Sequence, residues 1–322
     1  VAGTEAWLLA ALAGMPERAA VDAIVPVAHG AAAVLLDANA MRVAAPDYED
    51  PEFDTIADEY RAQRDPFRST YSPFLPLGLN LARQWFFLQR RDPALFARVR
   101  TALLYPQYWA WRLSGVAASE VTSFGCHTDL WLPAQAQPSA LAKRQGWTPL
   151  LPSLRRAGDV LGTIAPDVAA RTGLSLRCRV LCGIHDSNAS FLCHLAAEPA
   201  QSAFTVISSG TWTVLFARGA DLQRLDESRD MLANVDAFGE PVPTARFMGG
   251  REYAAIAGED GLRVTPQWSD VQRLLADEVL ALPSFAEGGG PFAPRIGRIV
   301  AARTLSAGER AALASVYVAL LC

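Results

Sequence analysis

Residues 178–197, CRVLCGIHDSNASFLCHLAA, constrain the fold more than any other stretch. An apolar, β-branched run reaches Gly183 and passes within a few residues into helical spacing, so a strand, a turn and a helix follow without a linker. The fold class this implies is α/β. The turn also gathers His185, Asp186, Cys182, Cys193 and His194, which leaves three readings: a metal site, a catalytic site or an ordinary helix start.

Spacing argues against the metal. Paired C-x2-C ligands are absent, and Cys178 and Cys182 lie at even spacing in a strand, where both serve as small apolar side chains on one face. The other two readings share one geometry. Asp186 or Ser187 at the helix N-terminus is a common capping arrangement. A carboxylate beside the helix's positive end can also accept the proton of a hydroxyl.

Some 20 residues downstream, FTVISSGTWTVLFARG has two β-rich arms around Ser208–Thr211, the composition of a hairpin. Backbone N–H groups and hydroxyls at such a tip can wrap phosphate oxygens, although a Ser/Gly/Thr turn is more often only a turn. The texture changes here. Mostly helical sequence precedes the hairpin, and Gly/Pro-richer sequence with FMGGREY and EGGGPFAPRIGR follows, which places a domain boundary near residue 197.

The earlier sequence divides less cleanly. Helical spacing covers residues 4–15, and two strands are expected to meet near His29, the first weakened by Pro26 and the second ending in a turn at Asp37–Ala40. Residues 44–77 read as a long irregular excursion of the kind that carries substrate contacts. Helices are expected at 78–91 and 93–113, the second with Phe96, Val99 and Leu103 on one face, a kink or break at Pro106 and Gly115 past its end. His29 alone reads as a satisfied core histidine, and Trp85, Tyr108, Trp109 and Trp212 as core or interface aromatics.

Bulk properties narrow the partners. With 322 residues, 51% hydrophobic, the chain can fill two domains. A net charge of −4 excludes general affinity for nucleic acid or anionic membrane. No apolar run approaches the roughly 20 residues of a membrane span and no signal sequence stands out, so the cytoplasm is the expected location. Five cysteines in a long chain fit reduced thiols. The chain opens without Met inside a helix and stops inside another apolar-periodic run, so a fragment is the expectation.

Several of these stretches, in order, resemble the FGGY family of carbohydrate kinases, and within it the rhamnulokinase and fuculokinase branch. AHGAAAVLLD at 28–37 is similar to the family's sugar-contacting His-Gly segment, and LLYPQYWAWRLSG at 103–115 followed by SEVTS to its aromatic helix and Glu-x-Thr. GIHDSNAS at 183–190 resembles the Gly-x-His-Asp-Thr stretch, and VISSGTWTVL at 206–215 the Ser-Ser-Gly-Thr-Trp hairpin. The family's N-terminal Asp-x-Gly-Thr loop and C-terminal adenosine segment have no counterpart here. Gln107 stands where relatives carry Asp, and Ser114 and Ser187 where they carry Thr.

The resemblance implies two actin-like (ribonuclease H-like) α/β domains with an active-site cleft between them: 1–196 for sugar and 197–322 for nucleotide. It implies ATP-dependent phosphorylation of a sugar hydroxyl, a ketose of the rhamnulose, fuculose, xylulose or ribulose type or a polyol, with Asp186 as base. His29, Gly30, Gln84, His185 and Ser187 would meet the sugar, Ser208, Ser209, Gly210 and Thr211 the γ-phosphate region, and Mg²⁺ the phosphates. Relatives are often dimers, so a homodimer is a further expectation. The alternative is a catalytically impaired sugar-binding or regulatory protein, favoured if the two nucleotide segments are missing from the gene product; a zinc hydrolase is the remote third.

Overall fold

The computed structural model describes residues 1–198, 202–287, 289–292 and 294–322. The chain divides into two compact units, Val1–Ala200 with Ala233–Val242, and Gln201–Leu232 with Pro243–Cys322. The late segment belongs to the first unit because Ala233 N donates to Tyr71 O at 2.9 Å and Val235 is fully buried among Trp85, Phe124 and Trp131.

In the first unit, the stretch around Pro26 forms two short strands. Ala23–Ile24 runs parallel to Arg179–Leu181, and Val27–Ala28 parallel to Ile184–His185. Pro26 falls at the break, where it lacks an N–H to contribute but its carbonyl accepts Ile184 N at 3.0 Å. Gly183 allows this close approach: its φ is +88°, and a Cβ there would lie 2.6 Å from that carbonyl.

Residues 93–113 are not one helix, contrary to the helical spacing. They form a short helix Pro93–Phe96, a strand Thr101–Leu104 and a helix Tyr105–Ser114. The strand pairs antiparallel with Ala33–Leu36, which buries Ala102, Leu103 and Leu104, and a short apolar run fits either element until a partner decides. Phe96 and Val99 therefore enter one core and Leu103 another. Pro106 begins the last helix instead of kinking it, as suits a residue without an N–H, and Gly115 ends it at φ +78°.

The 44–77 excursion also holds more structure than its composition suggests. Asp50 caps a 3₁₀ turn at Pro51–Ile56, and helices Ala57–Gln63 and Phe67–Thr70 follow. They are tied down by the fully buried Asp129, whose carboxylate accepts from Tyr60 Oη at 2.6 Å and from Arg64 Nε and Nη2 at 3.2 and 3.1 Å. Sequence reading misses this because the partners are 65 or more residues apart. Trp85, Tyr108 and Trp109 are buried as expected of core aromatics.

In the second unit, Phe204–Ser208 and Thr213–Arg218 form the expected antiparallel hairpin, and Thr213–Phe216 also pairs with Thr244–Phe247. Helices Gly249–Gly261, Trp268–Ala276 and Ala307–Leu321 close around Ile256, Leu274, Leu313 and Tyr317. The last begins with a reciprocal cap: Ser306 Oγ accepts Glu309 N, and Glu309 accepts Ser306 N. Among the described residues no helix is long and apolar enough to cross a membrane.

Candidate active site

The parallel pairing of Val27–Ala28 with Ile184–His185 delivers His29–Gly30 and Asp186 to the same end of two adjacent strands. Gly30 packs on the imidazole so closely that a Cβ would lie 3.0 Å from His185 Nε2 and 3.2 Å from Cys126 Sγ. His29 stands at the exposed side, flanked by Tyr48 and Tyr105 with ring centroids 5.7 and 5.0 Å away. Its Nδ1–H donates to Gly30 O at 2.8 Å, leaving Nε2 as an acceptor. This is not the enclosed core histidine that its apolar neighbours suggest.

His185 is buried and held on every side. Its backbone N–H donates to Thr122 Oγ1 at 3.1 Å, and Asn188 Nδ2 donates to its Nδ1 at 3.2 Å. That places the ring proton on Nε2, 3.3 Å from Asp186 Oδ1 and 3.5 Å from Cys126 Sγ. Burial lowers the pKa of the ring; Asp186 pulls the other way and His29 adds to the lowering. A neutral imidazole that donates to the carboxylate is the result.

Asp186 is the first residue of the helix Asp186–Ala197, with His185 at the cap position, so the carboxylate is not the ordinary N-cap. Oδ1 accepts from Ser187 N at 2.6 Å, Ser187 Oγ at 3.3 Å and His185. Oδ2 has no partner among the described residues, and the side chain is 51% exposed. One oxygen is anchored and the other is open, an arrangement suited to taking a proton from a bound hydroxyl.

Supporting residues complete the turn. Gln107 Nε2 reaches the carbonyls of Cys182 and Gly183 at 3.3 and 3.2 Å. Glu120 accepts from Thr122 Oγ1 at 2.6 Å and from Thr122 N and Ser123 N, and burial raises its pKa. Gln84 is fully buried and donates to Ala31 O and Gly78 O at 2.7 and 2.6 Å. It therefore braces the backbone beside Gly30, one step removed from the exposed surface. Cys126 and Asn188 escape sequence reading because their roles depend on contact with one ring; an i, i+3 spacing from His185 was the only signal for Asn188.

In the second unit, Ser208 ends a strand and Ser209, Gly210 and Thr211 form an exposed tip. Gly210 does not take a positive φ. The close backbone approach to the tip is made by Gly250, whose Cβ would lie 2.6 Å from Gly210 O, while Gly250 N donates to Thr211 O at 3.2 Å. The start of the helix Gly249–Gly261 is thus seated against the tip. Trp212 follows, half-buried, with the Arg246 guanidinium 4.9 Å from its ring centroid and Asp230 bound to that arginine.

Known proteins are similar to this chain in sequence and fold. Residues 201–322 match the carbohydrate kinase FGGY C-terminal domain. A solved carbohydrate kinase from Novosphingobium aromaticivorans is 40% identical over the whole of this chain, with a TM-score of 0.89, and this chain covers 72% of it. The solved xylulose kinase from Rhodospirillum rubrum, 18% identical, covers 93% of the chain and is covered to 63%, with a TM-score of 0.70, and shares the fold. The L-fuculokinase of Salmonella typhi is 26% identical over 224 residues, 66% of this chain and 44% of that protein. The chain spans less than half the length of the curated relatives it matches. With a solved carbohydrate kinase 40% identical to it over its whole length and the family's C-terminal domain matched over residues 201–322, the chain belongs to the FGGY family of carbohydrate kinases, whose fold is two-domain and actin-like.

Proposed function

We propose that this chain carries the sugar-phosphorylating centre of an ATP-dependent kinase acting on a ketose of the fuculose, rhamnulose, xylulose or ribulose type, or on a polyol. The observation that carries the proposal is the Asp186 carboxylate, anchored through Oδ1 and open at Oδ2 beside Gly30 and a neutral His185. The likeness to L-fuculokinase supports a ketose within that class.

In this reading the first unit, Val1–Ala200 with Ala233–Val242, holds the sugar. His29 accepts a hydrogen bond from a sugar hydroxyl at Nε2, and Gly30, having no side chain, lets its strand end close on His185 beside the Asp186 carboxylate. Asp186 Oδ2 takes the proton of the reacting hydroxyl as its oxygen bonds to the γ-phosphorus and the bond from that phosphorus to ADP breaks. Phosphoryl transfer has a loose transition state, so a weakly basic carboxylate and alignment suffice.

The second unit, Gln201–Leu232 with Pro243–Cys322, holds the nucleotide phosphates. The exposed tip Ser208–Thr211 offers backbone N–H groups and hydroxyls without a carboxylate in the turn, which fits an anion. Mg²⁺ supplies charge neutralisation on the phosphates when bound. Among the described residues no group of three or more His, Cys, Asp or Glu is poised for a metal, so none is assigned to it.

The test is ADP release by the full-length gene product across a panel of ketoses and polyols. Turnover with at least one sugar, lost in Asp186→Ala, is expected. Sugar binding without turnover on any member would favour a sugar-binding or regulatory protein instead.

A further inference from the structure

The first unit has a cavity of about 330 Å³ that includes none of His29, Gly30, His185 or Asp186. It is lined by Trp131, Leu154, Arg155, Arg156, Asp159 and Phe238 among others, all from the first unit. Its volume is at the lower end of the range for small-molecule sites.

The lining combines two unspent resources. Phe238 is 67% exposed and Leu154 48%, so apolar surface faces the cavity uncovered. Phe238 is not on a floppy arm: Asp236 Oδ1 accepts from Phe238 N at 2.9 Å and from Glu240 N at 3.0 Å, which fixes the turn that presents the ring. Arg155 and Arg156 are both exposed, and neither guanidinium has an acidic partner among the described residues, in a chain of net charge −4 whose other arginines are often ion-paired. The one carboxylate among the described residues that line the cavity, Asp159, is turned to its own loop, accepting Arg156 N at 3.0 Å through Oδ2.

Adjacent unpaired guanidinium groups bind phosphate or carboxylate well, because their forked donors match its oxygens. An aromatic ring beside them favours a ligand with an apolar body. We propose that this cavity is a binding site for an organic anion, its phosphate or carboxylate held by Arg155 and Arg156 and its ring or short chain placed against Trp131 and Phe238.

The site is wired to the candidate active site. Asp159 O accepts Cys182 N at 2.9 Å, and Ala157 O accepts Gly183 N at 3.1 Å, so the arginine loop is bonded to the two residues that lead into Ile184 and His185. Arg155 also pairs with Glu120 in a parallel register, and Glu120 holds Thr122, the partner of His185 N.

Calorimetric titration of the protein with phenyl phosphate, benzoate and inorganic phosphate tests the proposal. Saturable binding of phenyl phosphate or benzoate at about millimolar concentration or below is expected, with inorganic phosphate weaker. The Arg155→Ala/Arg156→Ala double variant should weaken it about tenfold or more, and Phe238→Ser several-fold. Because all three side chains are exposed, these variants should fold, which their unchanged melting temperature would verify. Absence of saturable binding, binding unchanged in the arginine variant, or binding lost instead in Gly250→Ala, which alters the second unit's hairpin tip, would overturn the proposal. None of these readouts depends on kinase activity.

Discussion

The turn at His185–Asp186 and the tip at Ser208–Thr211 are built in opposite ways. In the first, buried side chains do the holding: Asn188, Thr122 and Gln107 fix a ring and a pair of carbonyls so that one carboxylate oxygen stays open. In the second, the side chains are exposed and the constraint is backbone against backbone, Gly250 on Gly210 and Thr211. Proton removal needs a group of defined basicity at a defined point, whereas phosphate oxygens need only an array of N–H groups. The first region should therefore fail when a side chain is removed, and the second when one is added.

The largest expected effect is at Asp186. Asp186→Ala should lower turnover by about 10²–10⁴-fold, the range for losing a positioned base, while sugar still raises the melting temperature. Retained turnover would remove Asp186 from the chemistry and end the comparison. Next come the glycines. Gly30→Ala puts a Cβ 3.0 Å from His185 Nε2 and should raise the KM for sugar about tenfold with the KM for ATP unchanged. Gly250→Ala puts one 2.6 Å from Gly210 O and should do the reverse. If both variants moved both constants equally, the assignment of separate ligands to the two regions would fall.

These two regions were also unequally legible in the sequence. The strand, turn and helix around Gly183 and the hairpin around Gly210 follow from local patterning, and both are present. What local patterning misplaced was the element whose identity rests on a distant partner. Thr101–Leu104 is a strand because Ala33–Leu36 lies beside it, and Ala57–Gln63 is anchored because Asp129 waits for Tyr60. The same holds within the site. His185 and Asp186 stood out by residue type, but the tautomer of one and the open oxygen of the other depend on Asn188, Thr122 and Ser187 as placed in space. Gly210 sits in the turn that the composition marks, yet it is Gly250, some 40 residues on, whose missing side chain lets the backbone close on that turn.

Acid should separate the two units by opposite carboxylate behaviour. Glu309 in the second unit is held well below the usual carboxylate range, first by Arg303 and then by Ser306 N. Its contribution is therefore complete above the unfolded value of about 4.3 and is lost as pH falls toward the lower folded value. Asp129 in the first unit is shifted upward, because burial outweighs Arg64, so it takes up its proton in the folded state first and acid favours that unit through this group. Melting followed by calorimetry between about pH 5 and 3 should show the second unit's transition falling by a few degrees relative to the first. Glu309→Gln should reduce that acid dependence, at the cost of a lower melting temperature near neutrality.

The smallest effects should come from the hydroxyls of the tip. Ser208 and Ser209 are exposed. If backbone N–H groups hold the phosphates, removing a hydroxyl takes away one neutral hydrogen bond, worth about 0.5–1.5 kcal/mol, or roughly a two- to tenfold change in affinity. Ser208→Ala and Ser209→Ala should therefore each raise the KM for ATP by no more than that and leave turnover nearly unchanged. Asp186→Ala and Ser209→Ala, measured side by side, give the sharpest form of the contrast: one deletes the group that carries the proton, the other a side chain that only adds to what the backbone already offers. A loss of turnover in Ser209→Ala comparable to that in Asp186→Ala would mean that the hydroxyl itself meets the transferring phosphoryl group, and that the tip, too, works through side chains.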